Sequence, residues 1–211
     1  MGTSKRKLSS DIKKILKQKP ITQLNETAPE LSKKILNPNH LSSSFDTEDT
    51  INESIKIITK HFITISSNGF KGKTKKELAS DSITQQEFIE MILDQIENQA
   101  YINSEILEKS LKIVMCKFLE IEEFDVYSFA HHLFYEIIYQ VLLGDLNDNI
   151  KDVFEDFNYD LIKKMVKNLT DQIMNDSVYE KVNLFIDRKL YLKDVLIHIS
   201  KQTSNASFGE F

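Results

Sequence analysis

From Val126 to Leu142 the chain places apolar side chains at so many helical positions that little polar face is left: Val126, Phe129, Leu133, Phe134, Ile137, Ile138, Val141 and Leu142. A helix with so narrow a polar stripe belongs in the middle of a bundle, not on a surface. Asp125 is placed to cap it, and Gly144 to stop it just after Leu143. With 5 Gly and 3 Pro in 211 residues, the chain is also poor in the tight turns that sandwiches and barrels use. At 41% hydrophobic and 28% charged residues it falls in the globular range. The expected fold class is therefore all-α: a multi-helix bundle with a basic, partly helical N-terminal arm.

The periodicity predicts five or six helices between residues 82 and 201. Thr84 with Glu87 forms a capping-box pattern ahead of Phe88, Ile89, Ile92, Leu93 and Ile96. A second stripe joins Ile106, Leu107, Leu111, Val114, Met115 and Phe118. Further helices are expected over 149–169, 178–190 and 191–201. In the N-terminal part, Ser10 could cap a helix over 11–19 that Pro20 ends, and Pro29 suits the first turn of another that Pro38 ends. Residues 50–65 carry a stronger pattern. These first helices are shorter than the roughly 12–15 residues at which isolated helices hold in water, so they need a partner surface. The expected domains are a basic arm with short helices and a linker (1–81), an acidic helical bundle (82–202) and a disordered tail (203–211).

Charge follows the same division. Residues 1–80 hold 15 basic and 8 acidic side chains against 12 and 24 in the remainder, so the net −5 hides +7 and −12. The candidate partner-binding residues are Lys5, Arg6, Lys7, Lys13, Lys14, Lys17 and Lys19, with Lys71, Lys73, Lys75 and Lys76 in the linker. Such a patch suits nucleic acid, anionic lipid or an acidic protein surface such as a tubulin tail or a GTPase. One Arg and no aromatic before Phe45 favours non-specific electrostatics over base reading.

Motifs that carry chemistry fail on inspection. Ser67-Asn68-Gly69-Phe70-Lys71-Gly72-Lys73-Thr74 ends like a phosphate-binding loop, after a strand-like 61–65, yet Ser67 stands where the first glycine is required. Gly144-Asp145-Leu146-Asn147-Asp148-Asn149 opens like a calcium loop, but Ile150 replaces the turning glycine and Asp156 the bidentate glutamate. It reads as a helix connection with Asn147 or Asn149 as a cap. Ser128, His132, Glu136 and Gln140 make a polar stripe at i, i+4 spacing, read as a His132–Glu136 pair or an inter-helix hydrogen bond beside His131. Cys116, the single cysteine, lies in an apolar helical run and reads as a spectator thiol. No catalytic residue, cofactor site, metal site or small-molecule substrate is expected.

No apolar run approaches the ~20 residues of a membrane span. Arg6 stands where myristoylation wants Ser or Thr, and no apolar stretch follows the first charges as in a secretory signal. An intracellular protein, cytoplasmic or cytoskeleton-associated, is expected.

Two strings, Glu122-Glu123-Phe124-Asp125-Val126-Tyr127-Ser128-Phe129 and Asp152-Val153-Phe154-Glu155-Asp156-Phe157, resemble the helical BART-like domain. The likeness covers about a third of the chain and consists of Phe spacing. Members of that family bind Arf-like GTPases in ciliated cells, so the resemblance implies a eukaryotic scaffold and assigns no site residue. The reading is a non-enzymatic helical adaptor or structural subunit, cytoskeletal or ciliary, from an AT-rich genome. The alternatives are a nucleic-acid-associated factor using the same arm and a small-GTPase-binding effector.

Overall fold

The computed structural model describes residues 2–154 and 157–209. Helix α1 (Gly2–Leu16) is followed by a 3-10 segment (Ile21–Thr27), α2 (Ala28–Ile35) and α3 (Pro38–Phe45). Pro29 sits in the first turn of α2, as its missing N–H allows. Pro38 does the same for α3, with Asn37 Oδ1 accepting from the His40 amide at 3.0 Å. The residue expected to end one helix therefore starts the next. Next is α4 (Glu48–Asn68), capped by Thr47, and its length absorbs the strand-like 61–65.

The expected linker is itself structured. Gly69 and Gly72 take left-handed conformations (φ 66° and 76°) in a tight reversal bridged by Phe70 and Lys73. A Cβ on Gly69 would collide with the Lys73 carbonyl, so glycine is required there. Then α5 (Lys75–Ser80) begins with a capping box made by Thr74 and Glu77, and Asp81 caps α6 (Ser82–Ala100). The expected box at Thr84 and Glu87 is not the one formed, because Asp81 already holds the Ile83 and Thr84 amides.

Ser104 caps α7 (Glu105–Glu120), and Asp125 caps α8 (Val126–Val153). Gly144 does not stop α8, which continues nine residues beyond it to bury Leu146 and Ile150. Packing overrides the roughly 1 kcal/mol that glycine costs within a helix. Asn147 and Asn149 are thus helical and not caps, and the calcium-loop string is wound onto a helix; Asp156 lies outside the described residues. Asn158 caps α9 (Tyr159–Ile173), Asn175 caps α10 (Asp176–Ile186), and α11 (Leu192–Lys201) leads into a 3-10 segment (Gln202–Asn205). No named strand occurs among the described residues.

Helix α8 is the axis, packed by α1, α2, α3, α4, α7, α9 and α10. At one end Phe118, Phe124 and Phe129 meet with centroids 5.2–5.8 Å apart, and Phe62 lies 5.1 Å from Phe124 and 5.8 Å from Phe88. Each fully buried ring of this size contributes about 1.5–3 kcal/mol. One core runs from Ile12 to Phe208, so residues on both sides of the expected boundary at 81 share it.

The expected arm is therefore a wall of the bundle. Helix α1 is longer than expected, 15 residues that start at Gly2 with Ser10 inside and not as a cap, and α8 supplies its apolar surface: Ile12 and Leu16 are fully buried. Ser9 Oγ donates to Asn149 Oδ1 at 2.6 Å, and Lys13 lies 2.6 Å from Asp152. The described part of the expected disordered tail is also packed, with Thr203, Ala206 and Phe208 buried.

Candidate functional site

The eleven cations singled out in the sequence divide into two groups in space. On the helical projection, Arg6, Lys7, Lys14 and Lys17 fall opposite the buried Ile12, Ile15 and Leu16, and all four are exposed. No ion pair engages them among the described residues, and the same holds for exposed Lys5. Lys13 is tied to Asp152, and Lys19 lies 2.8 Å from Glu26. One acidic group interrupts the surface: Asp11, 2.9 Å from Lys34. That contact holds its carboxyl below the ordinary value, with Lys14 and Lys7 adding to the field.

Lys71, Lys73 and Lys75 are used inside the fold. Lys71 lies 2.8 Å from Glu87. Lys73 pairs with Asp81 and donates to Thr84 Oγ1 at 3.0 Å. Lys75 Nζ donates to the carbonyls of Ile121 (2.5 Å) and Glu122 (3.3 Å), just past the end of α7, with the Phe62 ring 5.8 Å away. A cation at that end satisfies orphan carbonyls and the negative pole of the helix. Burial pushes the Lys75 ammonium pKa down. Lys76 is exposed and joins neither arrangement. Thr74, last residue of the phosphate-loop look-alike, is committed to the capping box.

A cleft of about 850 Å³, to which no sequence pattern pointed, lies between the start of α4, the end of α6 and the turn after α10. Glu48, Asp49, Tyr101, Arg188 and Tyr191 line it. Tyr101 and Tyr191 are 72% and 64% exposed, too much for core residues. Left-handed backbone marks its edge at Asp46, Tyr101 and Arg188 (φ 65°, 52° and 58°). Each has a local restraint. Asp46 Oδ2 accepts from the Asn103 and Ser104 amides at 2.6 and 3.2 Å. The Tyr101 amide bonds to the Glu97 carbonyl at 3.3 Å. Arg188 occupies the position glycine usually takes in a Schellman closure, with its own amide on Phe185 O (2.9 Å) and that of Lys189 on Leu184 O (2.8 Å). A more apolar groove of about 480 Å³ between α3 and α11 shares Glu48 and Tyr191 with the cleft.

Tyr127, His131 and Tyr135 of α8 fasten it to the elements beside it. Tyr127 Oη donates to Asp187 (2.8 Å), His131 Nε2 to Asn183 Oδ1 (2.7 Å) and Tyr135 Oη to Asp171 (2.6 Å). His131 also stacks on Tyr179 at 4.5 Å. Burial, reinforced by Asp171, pushes the Tyr135 phenol far up, so it remains a donor. His132 makes neither expected contact: its Nδ1 donates back to the Ser128 carbonyl at 2.8 Å, and its ring stands edge-on to Phe118 at 5.3 Å. Burial, then the Glu120 charge, pushes the half-buried Cys116 thiol up, which suppresses the thiolate.

Among the described residues no group of three or more His, Cys, Asp or Glu side chains could hold a metal ion. No described helix is long and apolar enough to cross a membrane. The Phe spacing that carries the BART-like resemblance is core packing here, through Phe124 and Phe129 at one end of α8 and Phe154 and Phe157, 5.9 Å apart, at the other. No family model, curated protein or solved structure matches the chain.

Proposed function

We propose that this chain is a non-enzymatic helical adaptor that docks on an acidic protein surface through the outward face of α1. The observation that carries the reading is the contrast within one helix. Its inner face is anchored to α8 by Ile12, Leu16, Ser9 and Lys13, while Arg6, Lys7 and Lys14 on the outer face, and Lys17 in the turn just past its end, make no ion pair among the described residues. An array on a rigid support loses less freedom on binding than one on a flexible tail. Lysine-rich arrays of this kind set association rate and partner sign more than fine specificity.

The acidic surface belongs to a larger protein assembly, and the chain works in the cytoplasm or on the cytoskeleton. A ciliary setting or a GTPase partner is the form of the reading that the BART-like resemblance favours. Nucleic acid is the other polyanion that fits, although α1 carries one Arg and no aromatic for base contacts.

Binding of a glutamate-rich peptide, duplex RNA and anionic vesicles, each followed from ~50 to ~300 mM salt, separates these readings. The adaptor reading expects the peptide to bind at the lower salt, to weaken as salt rises, and to bind more tightly than the RNA and the vesicles throughout. RNA that persists with a steep salt slope supports the nucleic-acid alternative. Binding of none of the three at low salt contradicts both.

A further inference from the structure

We propose that Asn25, Asn168 and Gln172 form a binding site for an extended peptide, filled in this chain by its own residues 206–209 and open to a partner segment of the same chemistry. After Asn205 the chain leaves helical conformation and crosses between the first 3-10 segment and α9. Gln172, on α9, holds both main-chain groups of Ser207: its Nε2 donates to the Ser207 carbonyl (3.1 Å) and its Oε1 accepts from the Ser207 amide (3.0 Å). One turn earlier, Asn168 Nδ2 donates to the Phe208 carbonyl at 2.9 Å. From the opposite side, Asn25 Oδ1 accepts from the Phe208 amide at 2.7 Å and Nδ2 donates to the Gly209 carbonyl at 2.8 Å.

Three side-chain amides thus hold five main-chain groups of three successive residues. A tail fixed only by its apolar residue has no need of this. It is how a groove reads an extended ligand whatever its sequence, leaving specificity to alternate side chains. Here those are Ala206, 4% exposed, and Phe208, fully buried. Gly209 adds a third requirement, because it is left-handed (φ 78°) and a Cβ on it would collide with the Asn168 amide. Ser207 adds a fourth, because its hydroxyl donates to Asn25 Oδ1 and accepts from the Gly209 amide, both at 3.1 Å, so the ligand class is an extended segment reading small residue, Ser, Phe, Gly.

Asn25 and Gln172 are exposed and Asn168 half-exposed, so the amide clamps open to solvent, and exchange withdraws the buried Phe208 from the edge of the core. The site shares no residue with the docking face assigned to α1 and stands or falls separately.

A test uses the intact, isotope-labelled chain and an unlabelled capped peptide of residues 203–211. A tethered segment competes at an effective concentration of roughly millimolar, so the peptide is taken to several times that. The expected result is that the Ser207, Phe208 and Gly209 amide resonances move to unstructured positions while the α9 amides stay native. The same peptide carrying Phe208→Ala is expected to need at least tenfold more for equal displacement. Tail amides that keep their native positions at saturating peptide overturn the proposal, as does equal displacement by the two peptides.

Discussion

The two lysine-rich segments of this chain, on α1 and at 71–76, look alike in sequence and have opposite fates. At 71–76 the lysines stand where helices end and begin, amid the unsatisfied carbonyls past α7 and the carboxylates of Asp81 and Glu87. On α1 they sit on the solvent side of an amphipathic helix: among the described residues a neighbouring helix offers it a carboxylate at its apolar edge, Asp152 to Lys13, and its own Asp11 is taken by Lys34. Cation density alone does not reveal a docking surface. What decides is whether the fold itself presents anions and orphan carbonyls within reach.

The largest effect should come from the anchor of α1. Ile12→Ala or Leu16→Ala is expected to cost about 2–5 kcal/mol in chemical denaturation, as for any fully buried aliphatic side chain. An effect near zero would mean that α1 is detachable, and the contrast with 71–76 would fail. Asp81→Ala comes next, at about 1–2 kcal/mol, because one carboxylate caps α6 and receives Lys73. Lys75→Met should cost about 1 kcal/mol through its two carbonyl partners.

Smaller still is a pH response specific to the second segment. The Thr74 amide and hydroxyl hold the Glu77 carboxyl below its ordinary 4.5. The folded state thus favours the ionised form, and the resulting stability is present above pH 4.5 and lost as pH falls through the lowered value. Glu77→Gln should flatten that part of the acid-unfolding curve; an unchanged slope would remove the capping box from the account.

Much of the architecture was legible because it follows from side-chain periodicity. The central position of α8, its Asp125 cap and the Pro29 start of α2 all match the structure. Gly144 misled because its helix-stopping tendency is weaker than the burial of Leu146 and Ile150 beyond it. Helix α3 went unseen: Pro38 reads equally well as a stop or a start, and Ser42, Ser43 and Ser44 mask its pattern. The roles of Lys73 and Lys75 were not legible, since their partners lie 8 to 47 residues away. The amides of Asn25, Asn168 and Gln172 were equally silent, because amide side chains serve caps, surfaces and clamps alike.

The measurement closest to the central claim is the affinity of the glutamate-rich peptide for the chain carrying R6E, K7E, K14E and K17E, with its unfolding midpoint recorded alongside. Affinity should fall by about tenfold or more while stability changes by less than about 0.5 kcal/mol, as expected for exposed charges with no internal partner. Undiminished binding by a variant that folds normally would contradict the assignment of α1 as the docking face.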